Sequence, residues 1–272
     1  MDEYTETNRK HWDELVGLHL GTAMYDVPGF KAGRDTLHSI EVEELGDVHR
    51  KSLLHLQCHF GNDTLSWARR GATVTGVDFS EPAIEAARTH ASELGIDARF
   101  VHSDLYALPE HLNGQFDIVF TSYGTIFWLP DLTRWAQVIA YFLKPGGVFY
   151  IVDFHPMLGV FEPVGEDLAV THPYFPTGEP LRFDDDGSYA DRAASVQNRT
   201  TYTWTHPISE TVTALLDAGL RLDFLHEFPY TAEQWYPFME HAGGDYWRLT
   251  KHDGCVPMLF SIRAHKPGSS DV

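Results

Sequence analysis

Several things that would point to other functions are scarce or missing. Two cysteines, Cys58 and Cys255, in 272 residues are too few for the disulfide framework of a small secreted domain. No apolar run reaches the roughly 18 residues that a bilayer-spanning helix needs. Residues Met1 to Lys10 are polar and lack the apolar centre of a secretory signal. Basic residues are also few: 20 Lys and Arg stand against 39 Asp and Glu, a formal net charge of −19 with the 16 His neutral. So acidic a surface repels phosphate backbones and anionic lipid heads, because cationic neutralisation supplies most nonspecific nucleic-acid affinity. A soluble, cytoplasmic protein with neither a nucleic-acid nor a membrane partner is expected. The Gly-x-x-x-x-Gly-Lys-Ser/Thr phosphate loop, the Gly-x-Ser-x-Gly elbow and the Gly-x-Gly-x-x-Gly turn are all absent, which disfavours an α/β-hydrolase and a nicotinamide-dependent oxidoreductase. No histidine spacing suits a metal site, and none is expected; Asp184-Asp185-Asp186-Gly187 reads as a solvated turn.

What is present is a core and a rhythm. The hydrophobic fraction is 43%, with 7 Trp, 12 Tyr and 17 Phe, enough for one large α/β domain or two small ones. Apolar runs rich in Val, Ile, Leu and Phe occur at Ser52–Cys58, Thr73–Phe79, Ala98–Asp104, Phe116–Tyr123 and Gly147–Phe154. Strands of this kind, alternating with helix-like segments, predict a doubly wound, mostly parallel sheet covered on both faces. Helix limits are marked locally. Asn62–Arg70 stops at Gly71, and Ser80 caps a helix that carries Pro82 in its first turn and ends at Gly95. Asp131 opens a helix whose Trp135, Val138, Ile139 and Phe142 share one face, and Lys144-Pro145-Gly146-Gly147 turns the chain into the fifth strand.

Outside this core the pattern is less regular. Before about Arg50, Trp12, Leu15 and Leu18 are spaced for one short amphipathic helix in an N-terminal cap. From His155 to Thr205 no period is visible, and the segment is expected to cover the sheet edge. A helix at Pro207–Ala218 closed by Gly219 precedes strands at Arg221–Phe228 and Cys255–His265. Between those strands lies an insertion with Trp235, Tyr236, Phe238, Tyr246 and Trp247, which reads either as a lid over a pocket or as a hydrophobic plug.

Ligands of doubly wound sheets bind outside the carboxyl ends of the strands, near the switch in strand order. After the first strand comes Gln57-Cys58-His59-Phe60-Gly61-Asn62-Asp63-Thr64, a tight turn into a helix whose first N–H groups are unpaired. Asp78 lies 17 residues after Gly61, at the end of the second strand and just before Phe79. That spacing suits a carboxylate gripping ribose hydroxyls of a nucleoside anchored at the first loop. Asp104, at the end of the third strand, is placed to accept from the exocyclic amine of a base.

These features resemble the class I, Rossmann-like, S-adenosylmethionine-dependent methyltransferases over about Ser52 to Phe154, and more loosely over the last helix and strand pair. The resemblance implies a Rossmann-like sheet with a terminal antiparallel strand. It assigns the Gln57–Gly61 turn, with Asp63 and Thr64 behind it, to the methionine part of the cofactor, Asp78 to both ribose hydroxyls and Asp104 to adenine N6. Phe79 and Leu105 would flank the adenine, with Tyr123 beside the cofactor at the end of the fourth strand. The usual first motif, Asp/Glu-x-Gly-x-Gly-x-Gly, here reads His55-Leu56-Gln57-Cys58-His59-Phe60-Gly61; only the last glycine remains. The variant resembles a bacterial subgroup of that family and implies an altered carboxylate grip through the Gln57 amide or His59.

The activity implied is transfer of a methyl group from S-adenosylmethionine to a small-molecule acceptor by in-line displacement, with a neutral or cationic amine or a phenol favoured by the charge. A non-catalytic S-adenosylmethionine-binding or regulatory protein is the alternative, and an RNA methyltransferase a further one. The expected layout is a helical cap at 1–50 and a methyltransferase domain at 51–272, with a cofactor core at 51–155, a covering elaboration at 156–205 and the C-terminal helix, strand pair and insertion at 206–272. Single residues keep two readings. His155 is either the general base or a turn residue before Pro156. His59 is functional or structural, and Tyr123, Phe127 and Trp128 either line the acceptor cavity or simply pack. His55 and Cys58 read as core residues. Neither the acceptor nor the oligomeric state is legible.

Overall fold

Consecutive apolar residues of a strand point to opposite faces, so a run without polar breaks must be covered on both. The computed structural model, which describes residues 2–268, shows this arrangement. Residue 1 and residues 269–272, the outer ends of the expected cap and domain, lie outside the described residues.

Helices α1 (Glu3–His19), α2 (Val27–Lys31) and α3 (Ser39–Leu45) open the chain. There follow β1 (Ser52–Leu56), α4 (Asn62–Arg69), β2 (Thr73–Asp78), α5 (Glu81–Leu94), β3 (Ala98–His102), α6 (Leu108–His111), β4 (Phe116–Ser122), α7 (Leu132–Phe142) and β5 (Leu143–Phe154). Two hairpins come next, β6 (Phe161–Val164) with β7 (Asp167–Val170) and β8 (Leu181–Asp184) with β9 (Thr200–Thr203). The chain closes with α8 (Ile208–Asp217), β10 (Arg221–Phe228), the short β11 (Tyr230–Thr231), β12 (Met239–Gly243) and β13 (Tyr246–Leu249), and finally β14 (Leu259–His265).

Among the described residues, seven strands form the main sheet in the order β10-β14-β5-β4-β1-β2-β3. Pairing is parallel from β5 across to β3, and β14 is antiparallel to both its neighbours. Leu54, Leu56, Val119, Phe149 and Ile151 pack one face against Trp135, Ile139 and Phe142 of α7 and Leu215 of α8. Leu53, Val74, Ile118, Phe120 and Val152 pack the other against Trp67 of α4 and Ile40 and Leu45 of α3. The chain moves outward from β1 through β2 to β3, then returns to place β4 on the other side of β1, so the switch falls between β1 and β4. The caps match the local signals: Ser80 Oγ accepts from Ala83 N–H, Asp131 Oδ1 accepts from Arg134 N–H at 3.0 Å, and Gly95 takes φ +64° after α5.

Several expectations are corrected. Lys144-Pro145-Gly146-Gly147 is drawn into β5 rather than preceding it: Leu143 already pairs with Phe116, and the segment bulges before pairing resumes at Ile118 and Val148. Among the described residues, the N-terminal cap holds three helices, the first of 17 residues, instead of one short one. The segment after His155, in which no period is visible, forms two hairpins, and β9 packs on α1. Asn8 exchanges two hydrogen bonds with Tyr202 (2.7 and 2.8 Å), and Glu14 accepts from Gln197 N–H and Asn198 N–H (2.6 and 2.8 Å). The aromatic insertion builds the small sheet β11-β13-β12, where Tyr236 and Met239 pack with Leu158 and Met258 as a plug.

Candidate functional site

A cavity of about 140 Å³ lies over the carboxyl ends of β1, β2, β3 and β4. Its floor carries Gln57, His59, Asp78, Phe79, Asp104, Leu105, Tyr123, Thr125 and Trp128, and its roof Trp12, Tyr25 and Tyr189. A second hollow, at the opposite ends of β1 and β4, is bounded by Lys51, Asp117, Lys144 and Arg263. There the Lys144 ammonium is already committed to Asp117 at 2.8 Å and Ser52 at 3.2 Å.

Asp78 anchors the floor. Its Oδ2 accepts from the backbone N–H of His59 at 2.8 Å and its Oδ1 from that of Ser80 at 2.9 Å. Each oxygen keeps a further lone pair, and the residue lines the cavity. Burial pushes its carboxyl up from the ordinary 3.8 to about 6, although the two N–H donors oppose the shift. Asp104 caps the single turn Leu105–Ala107, accepting through Oδ1 from Tyr106 N–H at 2.9 Å and Ala107 N–H at 3.3 Å. Phe79 and Leu105 line the cavity next to the two acids.

The first loop keeps a glycine-type backbone without the glycines. Gln57 and His59 stand at φ +55° and +50°, in the left-handed region, and Gly61 at +80°. For a residue with a side chain this costs roughly 1–2 kcal/mol, and such strain collects at functional sites. At Gly61 glycine is required on two counts, since a Cβ there would stand 2.7 Å from the Phe100 ring. Gln57 Nε2 donates to the Thr125 carbonyl at 3.0 Å, while its Oε1 is buried without a partner. The 124–126 loop that receives Gln57 is held by the buried Asp153, which accepts from Gly124 N–H, from Thr125 N–H and Oγ1 (3.0 and 2.8 Å) and from Ile126 N–H (3.2 Å).

Both ring nitrogens of His59 are likewise shut off from solvent with no partner, as is Trp128 Nε1. Burial, and after it His19, lowers the His59 pKa well below 6.5, so the ring is a neutral imidazole. It lies nearly parallel to Tyr25 (centroids 5.5 Å apart, 20° between planes) and meets the Trp12 ring edge-on at 5.5 Å. The Tyr25 and Tyr189 hydroxyls bond one another, and His19 Nε2 bonds Ser188 Oγ at 2.7 Å, which ties the loop before β9 to α1 above the cavity.

Not every expected residue reaches this place. Cys58 packs with Phe30, Leu65, Ile84 and Phe100, where burial raises its thiol pKa; it is a core filler outside the cavity wall. Gly61 serves the close approach to Phe100 and also stays out of the wall. Asp63 and Thr64 turn inward from the first turn of α4: Asp63 accepts from Ser122 Oγ at 3.2 Å, and Thr64 Oγ1 meets His55 Nδ1 at 2.8 Å. His55, held neutral by burial with its pKa lowered to about 3, is a satisfied interior histidine. The Tyr123 ring lines the cavity, but its hydroxyl donates away to Glu41 Oε2 at 2.8 Å.

His155 is not brought to the cavity. Its Nε2 meets Glu227 Oε1 of β10 at 2.9 Å, its Nδ1 accepts from Met157 N–H at 3.1 Å, and its ring stands against Phe260. None of the aromatics from Trp235 to Trp247 lines the cavity. Sequence reasoning missed the roof: Trp12 gave only a helical spacing, and nothing local marks Tyr25 or Tyr189, which lie 164 residues apart in the chain. Among the described residues no group of three His, Cys, Asp or Glu comes together as a metal site, and no helix is long and apolar enough to cross a membrane.

Comparison with known proteins follows the same outline. Residues 53–147 match the family model of a methyltransferase domain. Over 105 residues the chain is 31% identical to the ubiquinone biosynthesis O-methyltransferase of Shewanella pealeana, covering 39% of this chain and 44% of that one. Over 128 residues it is 30% identical to the corresponding protein of Pseudomonas fluorescens strain Pf0-1, covering 46% and 55%. The chain thus spans about half the length of these curated relatives. An S-adenosylmethionine-dependent methyltransferase structure from Mesorhizobium loti aligns with a TM-score of 0.60 at 21% identity, over 91% of this chain and 100% of that one. A putative one from Listeria monocytogenes aligns with 0.56 at 17%, over 83% and 97%. The likeness to these structures is one of fold: a Rossmann-like, mostly parallel sheet whose last strand runs antiparallel.

Proposed function

We propose that this chain is a class I methyltransferase that moves a methyl group from S-adenosylmethionine to a small molecule. The observation that carries the reading is the Asp78 carboxylate, buried at the end of β2, held by one backbone N–H on each oxygen and lining a cavity in a sheet of this family's fold. The residues fit the cofactor. Asp78 suits two ribose hydroxyls and Asp104 an exocyclic amine, while the orphaned Gln57 Oε1 suits an ammonium. The glycine-type backbone at Gln57 and His59 supports a binding loop retained in altered form, that of the HLQCHFG subgroup. We take the layout as a cap at 1–50 and a methyltransferase domain at 51–272.

When bound, S-adenosylmethionine supplies a methyl group already activated on a sulfonium. The protein's part is to hold the acceptor in line and exclude water; alignment contributes up to about 7–11 kcal/mol. The faces of Trp12, Tyr25 and Trp128 around the cavity tolerate positive charge. The relatives are named for O-methylation in ubiquinone biosynthesis, and a hydroxyl on an apolar body suits such walls. The net charge of −19 favours a small acceptor over a nucleic acid, and the two free cysteines suit a reducing, cytoplasmic site. The test is incubation with labelled S-adenosylmethionine and a panel of phenols and amines, with S-adenosylhomocysteine as readout. Its formation supports the reading; binding without turnover across the panel supports a regulatory protein instead.

A further inference from the structure

We propose that the His59 imidazole receives the proton that the acceptor loses during methyl transfer. The proposal rests on reading the cavity as a methyltransferase site and concerns its acceptor end. The cavity has two unlike ends. Asp78, Phe79, Asp104 and Leu105 give one of them two carboxylates and an apolar slot. The other, beneath α1, is walled by Trp12, Tyr25, Trp128 and Tyr189 around His59. With a nucleoside at the carboxylate end, the acceptor is left with the ring end.

Proton acceptors there are few. The Tyr25 and Tyr189 hydroxyls bond each other, and that of Tyr123 donates to Glu41. Trp128 Nε1 is a donor only. Of the described titratable side chains at this end of the cavity wall, His59 is the one with no partner: both its ring nitrogens are closed to solvent and bonded to nothing. Its ring is held in place, because the backbone N–H is fixed on Asp78 Oδ2 at 2.8 Å and the ring packs between Tyr25 and Phe60 (centroids 5.5 and 4.2 Å away). It also occupies a backbone conformation that glycine would adopt without strain, so the imidazole is kept at a conformational cost.

The step balances. A lone pair on the acceptor oxygen or nitrogen forms the bond to the methyl carbon as the carbon–sulfur bond breaks and its electron pair returns to sulfur. The acceptor's proton passes to a free nitrogen of His59. The positive charge lost at sulfur reappears on the imidazolium, so the cavity's charge is unchanged and the same ring faces serve both states. The ionisable groups against the His59 ring are His19 from α1 and Tyr25 from the following loop, with Asp78 from β2 on its backbone N–H and Tyr189 on the same cavity wall.

His59→Gly is the informative variant, because glycine accepts φ +50° and leaves a space the size of an imidazole. S-adenosylhomocysteine affinity is measured by calorimetry, and transfer is measured on the panel phenol that turns over, from about pH 5 to about pH 9 with and without free imidazole. The expected result is affinity within about threefold of the native protein, transfer lowered about 100-fold or more, and partial rescue by imidazole. Transfer in the variant should also climb steeply as pH approaches the phenol's own pKa. An affinity loss of about tenfold or more would put His59 on the cofactor, and undiminished transfer would remove it from the reaction; either overturns the proposal. Failure of the native protein to bind S-adenosylhomocysteine at all would overturn the methyltransferase reading itself.

Discussion

The backbone N–H of His59 donates to Asp78 Oδ2 at 2.8 Å, joining the loop after β1 to the acid that ends β2. One carboxylate thus fixes the backbone of the altered first loop and lines the cavity. Changes at Asp78 should therefore be felt at both places.

Asp78→Asn keeps the shape and one acceptor oxygen but removes the charge. S-adenosylhomocysteine binding should weaken by about 1–3 kcal/mol, roughly the difference made by charge-assisted hydrogen bonds. Isothermal calorimetry checks this; unchanged affinity would reject the ribose assignment.

The same residue predicts a pH dependence. Burial raises the folded-state pKa of Asp78 to about 6, above the ordinary 3.8. The folded state therefore holds this proton more tightly than the unfolded one, and the associated stability is fully present below about pH 4 and lost as pH rises through about 6. The gap corresponds to up to about 3 kcal/mol. Glu233 and Glu41, raised by burial to about 7 and about 8, act with the same sign at higher pH. Denaturant unfolding of the native protein against Asp78→Asn should isolate a fall confined to the lower window. Cofactor affinity should move the other way, weakening below about pH 6 as the carboxylate protonates and becomes a poorer acceptor.

At Gln57 the usual ranking of small residues should invert. Ala normally stabilises a chain relative to Gly, but at φ +55° Gln57→Gly should be more stable than Gln57→Ala by about 1 kcal/mol, since both lose the bond to Thr125 and only Ala keeps the strain. Thermal unfolding of the pair decides it; an alanine variant equal to or better than glycine would mean the loop is not held left-handed.

His155→Asn should lower the unfolding temperature, because a nearly buried ring loses its contact with Glu227 and its packing on Phe260. S-adenosylhomocysteine affinity should stay unchanged. A large loss of affinity with unchanged melting would return His155 to the site.

The core of the fold was legible because its signals are local. Ser80, Gly95 and Asp131 act within a turn of their own helices, and uninterrupted apolar strands require cover on both faces. Asp78 and Asp104 followed from strand ends alone. What failed was lateral and long-range. Ending a strand does not say which neighbour lies beside it, and the end of β5 turns His155 toward Glu227 on β10 instead of toward the cavity. Asp63 and Thr64 sit in a helical first turn whose rotation carries them to Ser122 and His55. The roof over the cavity comes from segments far apart in sequence, Tyr25 meeting Tyr189 and His19 meeting Ser188, and no periodicity records such a meeting.

The most direct measurement is a crystal structure of the protein grown with S-adenosylhomocysteine. Electron density should show the ribose hydroxyls on Asp78, the adenine between Phe79 and Leu105, and the sulfur turned toward the rings of Trp12, Tyr25 and His59. Density for the nucleoside anywhere else, or a wall of imidazole and amide closing this cavity against it, would contradict the methyltransferase reading.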